Sequence, residues 1–447
     1  MKKKIVSLGM AVIMAASILT GCGGTGEDAA VNDSTAASGN SSSQSEGGNE
    51  DVVEVEFWYS GGKTAVNVVA DIVEGFNSSQ DKYHVSCVTQ ADYDETYQKL
   101  QAGIAGGTAP DVALLGVDSA SALNDKAQLA DINTYVEADS NFEKEDYIEV
   151  FYNQGVDAEG KMFGFPAYGT TQVLYYNIQA FEAAGVKAED IKTWQGLAKT
   201  AEKITNDSVV GWEPMWGKDN LVDAVLSNGG SIFNEDMTKV TINTEKWVEV
   251  WESFRQWIHD DKIMKIHSGG QGWEYWYATI DDVLQDKAGG YTGSSGDQAD
   301  LDFSIVAAME QPGFNDNAAA PSAEAKELVM LDSSSEEEKQ GAYEFMKYFT
   351  TPENQAKWSM ETGYVAVRLS TQEVPEFKEY TDENPQALVP LQQVSHGSIL
   401  PIDPTGGKVY DALATAADKV EIEGISAQEA LDAAQKEAQA ALDSVNN

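Results

Sequence analysis

Between Val53 and Tyr59 apolar and acidic residues alternate before an aromatic end, Val-Glu-Val-Glu-Phe-Trp-Tyr. A period of two predicts a strand, ended by a turn at Ser60-Gly61-Gly62. Val66, Val69, Val73 and Phe76 then recur at helical spacing, with the helix closing near Asn77. A strand over 83–88, a helix carrying Tyr97, Leu100 and Ile104 up to Gly106-Gly107, and a strand from Pro110-Asp111 to Leu115 continue the pattern. Strand and helix in strict alternation predict an α/β fold with parallel-type sheets covered by helices. Ligands of such sheets sit at the carboxyl ends of the strands, where Tyr59-Ser60, 90–93 and 116–119 fall.

A second series opens at Val173-Leu174-Tyr175-Tyr176-Asn177, continues in a helix from about Gln179, and opens another helix at Thr193-Trp194. Trp247, Trp251 and Phe254 recur at i, i+4 and i+7, the spacing of a core stripe. Trp212 and Trp216 instead flank Glu213-Pro214 in loop-like sequence. Trp273, Tyr275, Trp276 and Tyr277 follow Gly269-Gly270-Gln271-Gly272, and aromatics beside glycines read as partly facing a groove. Ser335 to Glu338 and Ser426 to Glu429 have the form of capping boxes before late helices. Cys87, in strand-like sequence, reads as a small core residue.

The head of the chain adds a location. Lys2, Lys3 and Lys4 precede an apolar run over 5–19 that is short for a membrane span of roughly 20 residues. Leu19-Thr20-Gly21-Cys22 then resembles the lipobox of bacterial lipoproteins, in which cleavage precedes the cysteine and its thiol carries lipid. Residues 23–51 are Gly, Ser, Asn, Thr and acid, too polar to build a core. They read as a flexible tether of about 30 Å root-mean-square length. The expectation is a signal peptide over 1–21, a lipidated Cys22 and disordered tether over 22–51, and a folded body anchored to the outer face of the cell membrane.

Charge narrows the partners. The chain carries a net charge of −44, and removal of the leading lysines makes it more negative. Such a surface repels nucleic acid. With Cys22 lipidated, Cys87 has no intramolecular disulfide partner. The histidines His84, His259, His267 and His396 show no close metal-ligand spacing, and no nucleophile elbow or phosphate loop occurs. No enzyme activity, metal or cofactor is expected.

Six segments in register point to one family. They are Phe57-Trp58 through Phe76-Asn77, Tyr93-Asp94-Glu95-Thr96, Ala109-Pro110-Asp111-Val112, and Phe165-Pro166-Ala167-Tyr168 running into 173–177. Thr351-Pro352-Glu353-Asn354-Gln355 and Thr362-Gly363-Tyr364-Val365-Ala366-Val367-Arg368 complete them. Together they resemble the carbohydrate-type solute-binding proteins of ABC importers, including maltose-binding and glycerol-3-phosphate-binding proteins. The resemblance implies a two-lobed, type II periplasmic-binding-protein fold with the ligand in the interlobe cleft. The expected division is 52–167 with 289–333 in the first lobe and 168–288 with 334–447 in the second.

The resemblance also implies site residues. Against maltose-binding proteins, Lys63, Asp118 and Tyr410 fall on sugar-contact positions. Against glycerol-3-phosphate-binding proteins, Tyr93, Thr170, Ser294, Ser295 and Tyr364 fall on or beside contacts. Tyr59, Tyr168, Trp212, Trp216, Trp276 and Arg368 complete the expected set. Asp118 reads equally as a helix N-cap, and Ser294-Ser295 as turn residues. Ile399 stands where the glycerol-phosphate relatives carry an arginine, which weakens a phosphate ligand. The expected function is capture of a mono- or oligosaccharide by a monomer that delivers it to ABC permease subunits. The alternatives are a glycerol 3-phosphate or glycerophosphodiester ligand, and, in another class, a surface glycoside hydrolase with two carboxylates.

Overall fold

Nine strands form two separate sheets in the computed structural model, which describes residues 52–61, 63–271 and 273–446. The expected signal peptide, Cys22 and tether lie outside the described residues, as does the side chain of Lys63. Among the described residues no helix is long and apolar enough to cross a membrane.

The first sheet has the order β2-β1-β3-β9-β4, built from β1 (Val53–Ser60), β2 (Tyr83–Gln90), β3 (Val112–Gly116), β4 (Phe165–Thr170) and β9 (Glu324–Met330). Alternation in β1 sends Val55, Phe57 and Tyr59 to one buried face. They meet the helices Lys63–Ser79 and Glu336–Phe349, with Phe57 against Phe345 at 5.3 Å. Ala113 and Leu115 turn to the other face and pack with Leu100, Ala120 and Leu123. β1 pairs in parallel with β2 and β3, as the alternation requires. β9 departs from the expected parallel pattern. It returns from far down the chain and runs antiparallel between β3 and β4.

The second sheet has the order β6-β7-β5-β8, with β5 (Gln172–Asn177), β6 (Glu213–Pro214), β7 (Gly290–Ser294) and β8 (Val306–Met309). β7 and β8 are antiparallel to β5, and only β6 is parallel to β7. One face packs on a core that contains Trp194, Trp212, Trp247, Trp251 and Phe254, all fully buried. The expected core stripe is therefore present. The helices Lys408–Glu421 and Ala427–Asn446 close this core.

The packing changes the expected division. β7 and β8 hydrogen-bond into the second sheet, not the first. The helix Glu336–Phe349, begun by the Ser335/Glu338 capping box, packs in the first core through Ala342, Phe345, Met346 and Phe349. Trp358 of the helix Pro352–Thr362 joins it there. Pairing and burial override chain order, because the chain passes between the halves more than twice.

Thr171 alone separates β4 from β5. A second passage joins β8 to β9 over 310–323. At Gly169, in β4, an added Cβ would stand 2.0 Å from the Phe151 ring. Only glycine permits that approach. Cys87 is exposed rather than buried, because β2 is the edge strand and its residues 86–89 are uncovered.

Candidate ligand cleft

The first half contributes residues at strand ends. Tyr93 follows the N-cap Asp92, whose carboxylate accepts from the Glu95 amide and so fixes the start of the helix Tyr93–Gly106. The Tyr93 hydroxyl meets the Tyr168 hydroxyl. Tyr168 is buried between Trp358 at 4.7 Å and Tyr364 at 4.8 Å. Glu324 and Lys326 share one side of β9 by strand alternation, while Ala325 and Glu327 are buried on the other. Lys326 Nζ pairs with Glu324 and lies 5.0 Å from the Tyr93 ring centroid. Asp118 occupies the first turn of the helix Val117–Asn124.

The second half answers with aromatics and a second ion pair. Lys218 and Asp219 open the helix Lys218–Leu226 and pair at 2.6 Å. Lys218 Nζ lies 5.6 Å from the Tyr410 ring. Trp216 meets Tyr275 edge-on at 5.0 Å, and Trp273 meets Trp276 edge-on at 5.7 Å. The Trp216 indole N–H donates to Asp418 and that of Trp276 to Asp297, at 2.7 and 2.8 Å. Both rings are thus locked by their polar edge, leaving flat apolar faces. Trp273 is 62% exposed.

Electrostatics joins the halves. Burial first, then Glu324 and Asp403, push the Asp118 carboxyl up. Asp219 is the main cause holding the Lys218 ammonium above its usual value, with Glu324 and Asp118 adding to it. Burial works against the Lys326 ammonium, yet Glu324 holds it above the ordinary lysine value. The set comprises the carboxylates Asp118, Asp219, Glu324 and Asp403 against the ammonium groups Lys218 and Lys326. Both lysines are already ion-paired, with side chains only 26% and 17% exposed. A phosphate dianion entering here meets a surplus of like charge.

Thr170 ends β4 with its hydroxyl 3.3 Å from that of Ser294 and 3.4 Å from that of Ser295. Glu324 is felt by Tyr93, Asp118, Tyr364 and Tyr410, which brings these residues of both halves beside one charge. Other expected residues lie elsewhere. Tyr59 is a core residue stacked on Phe57, because alternation gives it the inward face. Trp212 is fully buried, its N–H donated to Thr292 Oγ1 at 3.0 Å, because Trp212 leads into a strand and not a loop. Arg368 is engaged within the first half, paired with Asp146 and Glu143 and stacked over Tyr147.

Lys218, Asp219, Glu324 and Lys326 were not singled out by sequence. The signal for the last two is the charged–apolar alternation Glu324-Ala325-Lys326 in a strand flanked by small residues.

Residues 71–385 match the model of a family described as bacterial extracellular solute-binding protein. The chain belongs to that family. It is thus a bacterial extracellular solute-binding protein. The chain is 26% identical over 373 residues to an sn-glycerol-3-phosphate-binding periplasmic protein UgpB of Yersinia enterocolitica, covering 78% of this chain and 82% of that one. The fold is similar to that of UgpB from Mycobacterium tuberculosis in complex with glycerophosphocholine. The TM-score is 0.76 and identity 20%, over 88% of this chain and 99% of the other. It is also similar to the ABC substrate-binding protein Lmo0181 from Listeria monocytogenes in complex with cycloalternan. There the TM-score is 0.75 and identity 21%, over 87% and 98%. The fold is thus the type II periplasmic-binding fold expected from the sequence, with sheets of mixed rather than parallel orientation.

Proposed function

We propose that this solute-binding protein captures a neutral mono- or oligosaccharide, held as a lipoprotein through Cys22 on the outer face of the cell membrane. The observation that carries the reading is the balance of the cleft. Two lysines already engaged by acids, surplus carboxylates, and indole rings pinned by their N–H groups suit sugar hydroxyls and C–H faces. A micromolar ligand requires about −8 kcal/mol, within reach of two stacked rings and several charge-assisted hydrogen bonds. Binding would close the halves as a hinge, and the monomer would pass its ligand to the permease subunits.

A glycerol phosphate or phosphodiester is the second reading, favoured by the likeness to an sn-glycerol-3-phosphate-binding protein. Against it, Ile399 is 48% exposed where that group carries an arginine, and Arg368 is already held by Asp146. A thermal-shift and calorimetric comparison of neutral oligosaccharides with glycerol 3-phosphate and glycerophosphocholine separates the two. Stabilisation by phosphates alone reverses the ranking. Turnover of labelled oligosaccharide is expected to be nil, since the relatives are binding proteins. Labelled palmitate should enter the wild-type chain in the cell and not Cys22→Ala.

A further inference from the structure

On the second half, Glu213 of β6 faces His267 and Lys265 of the extended segment beside it and Asp282 of the helix Glu274–Leu284. Trp212 and Met264 form a parallel bridge that sets Lys265 and His267 alongside the strand. One ligand atom each of Glu213, His267 and Asp282 lies within 4.8 Å of the other two. His267 Nε2 stands 2.8 Å from Asp282 Oδ2 and 3.6 Å from Glu213 Oε2. Donor atoms about 2.1 Å from a tetrahedral zinc stand about 3.4 Å from one another, so small rotations suffice.

The cluster is poorly satisfied by protein groups. Glu213 is 0% exposed, its Oε1 is held only by the Lys265 ion pair at 3.3 Å, and its Oε2 has no hydrogen-bond partner. The Lys265 ammonium lies 2.7 Å from Asp282 Oδ2, 2.9 Å from His267 Nε2 and 3.3 Å from Glu213 Oε1. These contacts conflict. If Lys265 donates to Nε2, that nitrogen is an acceptor and faces the acceptor Oδ2 at 2.8 Å. If Nε2 carries a proton for Asp282, it faces the ammonium donor instead. A metal cation resolves both, because a neutral imidazole lone pair and two carboxylates all point toward positive charge.

We propose that Glu213, His267 and Asp282 bind a divalent transition-metal ion of the zinc type, displacing the Lys265 ammonium that occupies the same centre. Lys265 has a side chain 45% exposed and can swing into solvent on its flexible stem. Three protein ligands leave a fourth position for water. The Asp282 helix also carries Trp276, and Glu213 lies three residues before Trp216. The ion would therefore tie together the two elements that bear the cleft aromatics.

The test is zinc binding to the chelator-stripped full-length chain, read by competition with a metal-responsive dye and by thermal unfolding. The expected result is one equivalent bound in the micromolar range or tighter, with a raised melting temperature. His267→Gln should weaken binding about tenfold or more. Lys265→Gln should tighten it about tenfold, since the competing like charge is gone. Glu213 is buried, so Glu213→Gln is read only beside the more accessible His267→Gln. Absence of saturable binding in the wild type overturns the proposal. So does binding that His267→Gln leaves unchanged, or that Lys265→Gln weakens.

Discussion

Gln393 Nε2 donates to the hydroxyl of Thr171 at 2.7 Å, at the residue where the chain first passes between the halves. The same amide reaches the Gln172 carbonyl at 2.6 Å, and its oxygen accepts from the Gln311 amide at 2.7 Å. Gln311 in turn donates to Asp223 at 2.6 Å, and Asp223 accepts from Ser322. One buried side chain thus fastens the first passage to the second. In the proposed hinge closure this anchored crossing would serve as the pivot.

Gln393→Ala strips three buried partners at once. The expected loss is about 2–4 kcal/mol of unfolding free energy by urea titration, since each orphaned group costs about 1–3 kcal/mol. A loss below a few tenths would mean that water replaces the amide.

Trp276→Ala and Trp216→Ala should each weaken sugar binding about tenfold, on the order of 1.4 kcal/mol. Arg368→Ala is the contrasting variant. It breaks the contacts with Asp146 and Tyr147 and should lower the melting temperature while leaving calorimetric affinity unchanged. Equal loss of affinity in all three would refute the assignment of Arg368 to a purely structural pairing.

Burial pushes the Asp297 carboxyl up to about 7 from 3.8, with the donors Trp276 and Tyr291 opposing the shift. The folded state keeps this proton up to about pH 7, whereas the unfolded chain releases it near 3.8. The contribution is therefore fully present below about pH 4, falls as pH rises toward 7, and is flat above. Asp297→Asn lacks this fall. Its stability relative to wild type should rise across that window by on the order of 2–4 kcal/mol, read as a melting-temperature difference against pH.

Gly169→Ala sets a methyl group against the Phe151 ring. The expected cost is about 1–3 kcal/mol, and Phe151→Leu in the same chain should recover part of it. Chemical denaturation of the single and double variants gives the coupling.

Local pattern carried much of the fold. The alternation in β1, the Ser335/Glu338 box and the Trp247/Trp251/Phe254 stripe are all statements about neighbours within a few residues. What it did not carry is long-range pairing. Leu114 of β3 lies opposite Leu328 of β9, and no local signal encodes a partner so far along the chain. The same limit explains the division of the halves, because β7 (Gly290–Ser294) pairs with β5 (Gln172–Asn177) and β6 (Glu213–Pro214), both far back in the sequence. In the cleft, Lys218 and Lys326 look like ordinary surface lysines until the fold brings Asp118 and Glu324 beside them. Trp212 misled for a local reason. Pro214 beside it signals a loop, and a strand of only two residues leaves almost no periodicity to contradict that signal.

The uncovered thiol of Cys87 gives the molecule a built-in handle. The sequence has two cysteines, so a version beginning after Cys22 presents a single sulfhydryl, on the outermost strand of the first sheet. A dye coupled there reports on one half alone. Paired with the native indole emission concentrated in the other half, it would follow opening and shutting by energy transfer without any engineered residue.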